Sequence, residues 1–196
     1  SVPDVVSLDS MIGLITPDEA MTSHRLGFDD LGYEGEFLHS QHIPFSNDRE
    51  TKIETWILPM GASHVRIHKV KLNQSYSVSE GGFGIGRWDD YLPVSITEDS
   101  VTAENRELYS RVSTVSNAEI KYMPIGTQPN YHMYAPLAAY PAYRTKEPLE
   151  KGEYIFASVF TLDWLKNKGK PLPKVEICGL EVNITDGERK VMLCLK

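Results

Sequence analysis

An all-β fold, an antiparallel β-sandwich with few or no helices, is what this sequence predicts, and three observations predict it. Short runs rich in β-branched and aromatic residues recur along the chain, the composition that fits a pleated surface. Turn chemistry separates them, at Pro59-Met60-Gly61, Asn117, Asn167-Lys168-Gly169 and Asp186-Gly187. No βαβ rhythm appears, so a parallel α/β sheet is not indicated. Many short strands with frequent turns point to a sandwich first and a barrel second.

The elements follow in order. Glu54–Leu58 (ETWIL) and Ser63–Leu72 (SHVRIHKVKL) read as strands joined across the Pro59-to-Gly61 turn. Tyr76–Glu80 runs into Gly81–Gly86, where closely spaced glycines suit a strand that another backbone approaches closely. Pro93–Thr97, Tyr109–Ser116 and Ala118–Met123 carry shorter strand patterns. Asp99–Arg111 is the best helix candidate, yet its apolar positions are too few for an amphipathic stripe. Tyr131–Tyr143, Gly152–Leu162, Lys174–Ile184 and Arg189–Lys196 complete the set. Asp186-Gly187 between two apolar runs is the strongest hairpin signal and predicts that the last two strands pair antiparallel. Cys178 and Cys194 would then lie on adjacent strands. Each sits in an apolar run, which favours small buried hydrophobes and leaves a bridge between neighbouring strands as the alternative.

The chain has 196 residues, 41% of them hydrophobic, enough for one sizeable core and a single domain spanning 1–196. A net charge of −7 argues against a broad nucleic-acid surface, and no apolar run has the ~18 residues of a membrane span. The opening SVPDVVSLDS has no initiator Met and no signal-peptide pattern, so the chain reads as a segment excised from a longer protein or as a processed product. Lys166–Lys174 (KNKGKPLPK) is a basic loop rather than a linker, because strand patterns resume directly after it.

Strand periodicity places His64, Arg66 and His68 on one face. Val65 and Ile67 then point into the core. Val70 and Leu72 have the opposite parity, so burying all four predicts a bulge near His68-Lys69. A metal on this face is disfavoured: an Arg between two imidazoles opposes a dication, and the two distant cysteines do not make a zinc site. Arg66 suits bidentate carboxylate recognition, with Glu80 or Glu54 as the internal partner. Glu80–Arg87 (EGGFGIGR) does not complete G-x-G-x-x-G and no helix follows, so no nucleotide is implied. No G-x-S-x-G elbow occurs. The acidic Met21–Phe37 reads as a surface loop, with Glu34 and Glu36 as solvated turn residues. No catalytic residue, metal or cofactor is assigned.

The blocks WILPMGASHVRIHKV and YSVSEGGFGIGR resemble the C-terminal region of an uncharacterised microbial domain-of-unknown-function family. The match lies at Trp56, Pro59, Gly61, His64, Val65, Arg66, His68, Glu80, Gly81, Gly82 and Phe83, with departures at Ala62-Ser63 and Gly84. The resemblance implies a C-terminal β-sandwich behind an N-terminal (α/α) toroid related to glycoside hydrolases acting on glucuronides. It implies a non-catalytic accessory domain of a glycoside- or polysaccharide-processing protein, packing on that toroid and bordering its substrate cleft. His64, Arg66, His68, Glu80 and Trp56 are the expected docking or binding residues. Two other readings stay open. One is a free-standing carbohydrate-binding module using Trp56, Trp88 or the tyrosines Tyr131, Tyr134, Tyr140 and Tyr143 as a stacking platform. The other is a small enzyme using the His64/Arg66 face.

Overall fold

The structure is a computed structural model that describes residues 5–7, 26–45, 48–81, 85–87, 94–97, 99–125, 137–139 and 141–196. Its strands are β1 (Val5–Ser7), β2 (Leu26–Glu34), β3 (Phe37–Ile43), β4 (Lys52–Met60), β5 (Ser63–Leu72), β6 (Ser77–Gly81), β7 (Ile85–Arg87), β8 (Val94–Ile96) and β9 (Val101–Glu104). They continue as β10 (Leu108–Ser116), β11 (Tyr122–Ile125), β12 (Leu137–Ala139), β13 (Ala142–Thr145), β14 (Gly152–Trp164), β15 (Lys174–Cys178), β16 (Glu181–Asp186) and β17 (Arg189–Cys194). A 3-10 turn, Leu165–Asn167, is the one helical element among the described residues.

A large antiparallel sheet runs β2-β3-β4-β5-β14-β10-β9-β8. Over its central strands both faces carry a covering layer. On one, Trp56, Leu58, Met60, Val65, Ile67, Ile155, Ala157 and Val159 pack against Val182, Ile184, Leu193 and Leu195 of the β15-β16-β17 segment. On the other, Ile53, Val70, Leu72 and Phe156 meet Phe45, Tyr76 and Val78, while Val101, Val112 and Phe160 meet Tyr143. Val78 and Tyr143 belong to the sheet ordered β1-β6-β13-β11. The all-β sandwich is therefore as expected, but with two interlayer cores. Beside the second core Asp48 gathers Thr51, Asn73 and Tyr76 by hydrogen bonds, stapling the start of β4 to the turn after β5.

That layering removes the expected bulge. β5 pairs with β4 and with β14 in continuous register from Ser63 to the end of the strand. Val65 and Ile67 enter one core and Val70 and Leu72 the other, so the change of parity needs no extra residue. Other expectations shift for local reasons. Asp99–Arg111 is a β-hairpin, not a helix: the Asn105 side-chain oxygen accepts the backbone N–H groups of Glu107 and Leu108 and turns the chain. The Lys174–Ile184 run is two strands, split at Gly179, whose φ of 61° suits glycine. Residues 26–37 of the acidic stretch form the β2–β3 hairpin rather than a loop; residues 21–25 lie outside the described residues.

The Asp186-Gly187 hairpin is present, pairing Asp186 with Arg189. The cysteines, however, are exposed and free. Glu181 pairs with Cys178 on one side and Cys194 on the other. The two thiols are thus separated by a whole strand, about 10 Å, beyond the reach of a disulfide.

Candidate functional site

β5 sets His64, Arg66 and His68 on one face, as its periodicity predicts, and β4 and β14 supply their neighbours. His68 lies opposite Thr55, whose Oγ1 is 2.9 Å from the imidazole Nδ1. Its Nε2 is 2.7 Å from Glu80 Oε1. The other Glu80 oxygen accepts the Ser158 hydroxyl, which in turn is 2.9 Å from the Thr114 hydroxyl. His68 is 0% exposed and Glu80 2% exposed. Burial pushes the Glu80 carboxyl up; the charge and hydrogen bond of His68, the Arg66 charge and the Ser158 hydroxyl pull it down harder, so it is held below its ordinary value.

The hydroxyl–imidazole–carboxylate sequence has the connectivity of a proton relay. Thr55, His68, Glu80 and Ser158 are all buried, so a substrate has no approach to any of them. Each polar atom that burial would otherwise strand has a partner, and the chain of bonds ties β4, β5 and β14 to β6. His68 and Glu80 act as an internal lock between layers.

Arg66, 7% exposed, donates from Nε to His64 Nε2 at 3.0 Å and lays its guanidinium 4.2 Å from the centre of the Phe160 ring. His64 stacks on the same ring, centroids 5.0 Å apart. The Arg66 charge acts on Glu80, whose two carboxylate oxygens are hydrogen-bonded by His68 and Ser158. Glu54 lies on the opposite face of β4 and binds His39 instead.

Burial, with the Arg66 charge next, pushes His64 down to about 4 against a weaker pull from Glu80. In the unfolded chain the imidazole returns to 6.5. Between those values the unfolded chain takes a proton that the folded chain refuses, so stability falls as pH drops from about 6.5 towards 4. Glu80 acts in the same sense: its contribution is present above its ordinary 4.5 and is lost as pH falls through its depressed value. The urea midpoint should therefore decline between pH 7 and pH 4.5, with His64→Gln flattening the upper part of the decline. A midpoint constant over that range would contradict this account.

Trp56 stands apart from the other candidates. It projects from the opposite face of β4, is 3% exposed, and donates its indole N–H to Glu34 at 2.9 Å. His39 stacks on it at 4.5 Å and reaches Glu54 at 2.5 Å. A ring so covered cannot act as a sugar-stacking platform. Tyr143 is also buried, edge-on to Tyr122; Trp88, Tyr131, Tyr134 and Tyr140 lie outside the described residues. No grouping of three or more metal-ligating side chains occurs among the described residues.

No family model matches the chain, and no curated protein matches significantly. Solved structures do match. The fold is similar to that of part of heparinase III. The heparinase III product of the BT4657 gene aligns with a TM-score of 0.59 at 8% identity, over 86% of this chain and 27% of that one. Heparan sulfate lyase HepC from Pedobacter heparinus aligns with a TM-score of 0.56 at 11% identity, over 85% and 27%. The chain thus spans about a quarter of the length of these lyases.

Thr55, Ser158, Thr114 and Phe160 complete the network, and no sequence pattern marks them. They look like ordinary strand residues, and only the β4-β5-β14-β10 register brings them to His68, Glu80 and Arg66.

Proposed function

We propose that this chain is an accessory, non-catalytic β domain of a longer polysaccharide-processing protein, and that it packs against a helical toroid and borders the substrate cleft there. The observation that carries this reading is the shared fold with part of heparinase III over most of this chain and about a quarter of the other. A docking face is available next to the His64–Arg66 end of β5. Tyr33 pairs with Leu38, Leu38 with Ile57, and Ile57 with Arg66, while Pro59 pairs with His64. Tyr33 is 74% exposed and Leu38 and Pro59 are exposed, leaving an apolar band on an outer part of the large sheet. Contiguous apolar surface of this kind marks an interaction site. His64 and Arg66 would border the docked partner, while His68, Glu80 and Trp56 hold the sheet that presents the band.

The test uses the longer reading frame, with the preceding region produced as a separate chain. The two parts should co-purify, and Tyr33→Asp with Leu38→Asp should separate them without changing the melting temperature of the β domain. The β domain alone should turn over no glycoside or uronide. Co-purification indifferent to both charges would remove this face from the proposal. Turnover by the isolated domain, abolished by His64→Ala, would replace it with an enzymatic reading.

A further inference from the structure

The far end of β14 carries a second exposed feature. Trp164 is 54% exposed, with Leu162 beside it on the same side of the strand. Directly after it, Trp164–Lys174 contains four lysines and no acidic residue, in a chain of net charge −7. All four lysines are exposed. Lys168 is tied to Glu104; Lys166, Lys170 and Lys174 form no ion pair among the described residues, although Asp163 lies within electrostatic reach of the first two.

The segment is held in shape. Asp163 Oδ1 accepts the Trp164 backbone N–H at 2.7 Å and the Asn167 amide at 3.0 Å. The Leu165 N–H bonds Glu107 O, the Lys168 N–H bonds Leu165 O and the Lys170 N–H bonds Asn167 O. Pro173 is buried and anchors the exit into β15. An exposed indole is thus followed in the chain by exposed lysines on a turn whose backbone is already formed, so binding would order little of the main chain. An exposed aromatic surface stacks on the apolar face of a sugar ring, and lysines attract carboxylate or sulfate groups.

We infer that Trp164–Lys174 is a binding strip for an anionic polysaccharide, with Trp164 stacking on a sugar ring and Lys166, Lys170 and Lys174 facing its acidic groups. This deepens the proposed accessory role and rests on it for choosing a polysaccharide over other polyanions. The protein's overall negative charge repels polyanions in general, so binding must come from a local site.

Titrating the intact chain with a heparin hexasaccharide, an oligogalacturonate hexasaccharide, neutral maltohexaose and oligothymidylate tests this. The two acidic oligosaccharides should bind, with salt-dependent affinity, and maltohexaose should not. Lys166→Glu/Lys170→Glu/Lys174→Glu should abolish binding. Trp164→Ala should weaken it roughly tenfold, the effect of losing an aromatic anchor, with the salt dependence unchanged. Since all four side chains are exposed, unchanged melting temperatures will show that the variants fold. No binding, binding indifferent to both variants, or a preference for oligothymidylate would overturn the inference. Co-purification with the upstream region is a separate readout, so failure of the strip and failure of the accessory role are told apart.

Discussion

Glu80→Ala is expected to cost about 3–5 kcal/mol of stability, the range for breaking a buried pair from one side. The carboxylate is 2% exposed and bonded to His68 and Ser158. Its removal leaves an imidazole with no exposure at all facing an empty site, and Ser158 keeps only the Thr114 hydroxyl. Glu80→Gln retains the shape and one acceptor but loses the charge, so it should fall between. Removing both members with apolar replacements, His68→Leu with Glu80→Met, should recover much of the loss, because the penalty lies in the abandoned partner rather than in the missing attraction. Urea unfolding of the four proteins measures this. A Glu80→Ala unfolding free energy within about 1 kcal/mol of the parent would mean that the interlayer lock is not under tension from burial.

Trp56→Ala should cost a similar amount, about 3–5 kcal/mol, the usual penalty for emptying an aromatic core site. The indole fills the core between β4 and the β15-β16-β17 segment, supports the stacked His39 and donates to Glu34. Trp56→Phe keeps most of the packing and loses that hydrogen bond, so about 1 kcal/mol is expected. The series separates two roles for the residue. A ligand platform would give a stable Ala variant deficient in sugar binding; a core residue gives an unstable one whose remaining folded fraction binds as before. Guanidinium titration read by circular dichroism distinguishes them.

Much of this architecture was legible in local residue patterns. β5 could be read almost to its ends because apolar residues flank its polar face at period two, and the Asp186-Gly187 turn named its own hairpin. What stayed hidden depended on contacts far apart in the chain. The shift of parity from Ile67 to Val70 implies a bulge for a strand with one buried face, whereas β5 is covered on both sides. The cysteines looked buried because their neighbours are apolar, yet Cys178 and Cys194 fall on the outward parity of a thin segment whose other face fills the core. At the candidate site, the His64/Arg66/His68 face was visible, while its partners Thr55, Ser158 and Phe160 come from β4 and β14 and carry no mark of the role. Trp56 belongs to the block that carries the family resemblance, yet alternation along β4 sends its side chain to the face opposite His64 and Arg66.

The seam between β5 and β14 has a consequence for how the chain reaches this state. β2 to β5 can zip up as successive hairpins. β5 must then wait for a partner that follows some eighty residues later, with Leu72 meeting Gly152. Pairings of such separation slow folding. Until β14 arrives, the open edge of β5 displays unpaired backbone groups beside Val65, Ile67 and Val70, a template for another chain's strand. Ser158 and Phe160 come with β14, so Glu80 and Arg66 find their settings only in the closing steps. A half-sheet that ended at β5 would be sticky along one side, so slowing the arrival of β14 is expected to lower the yield of folded protein.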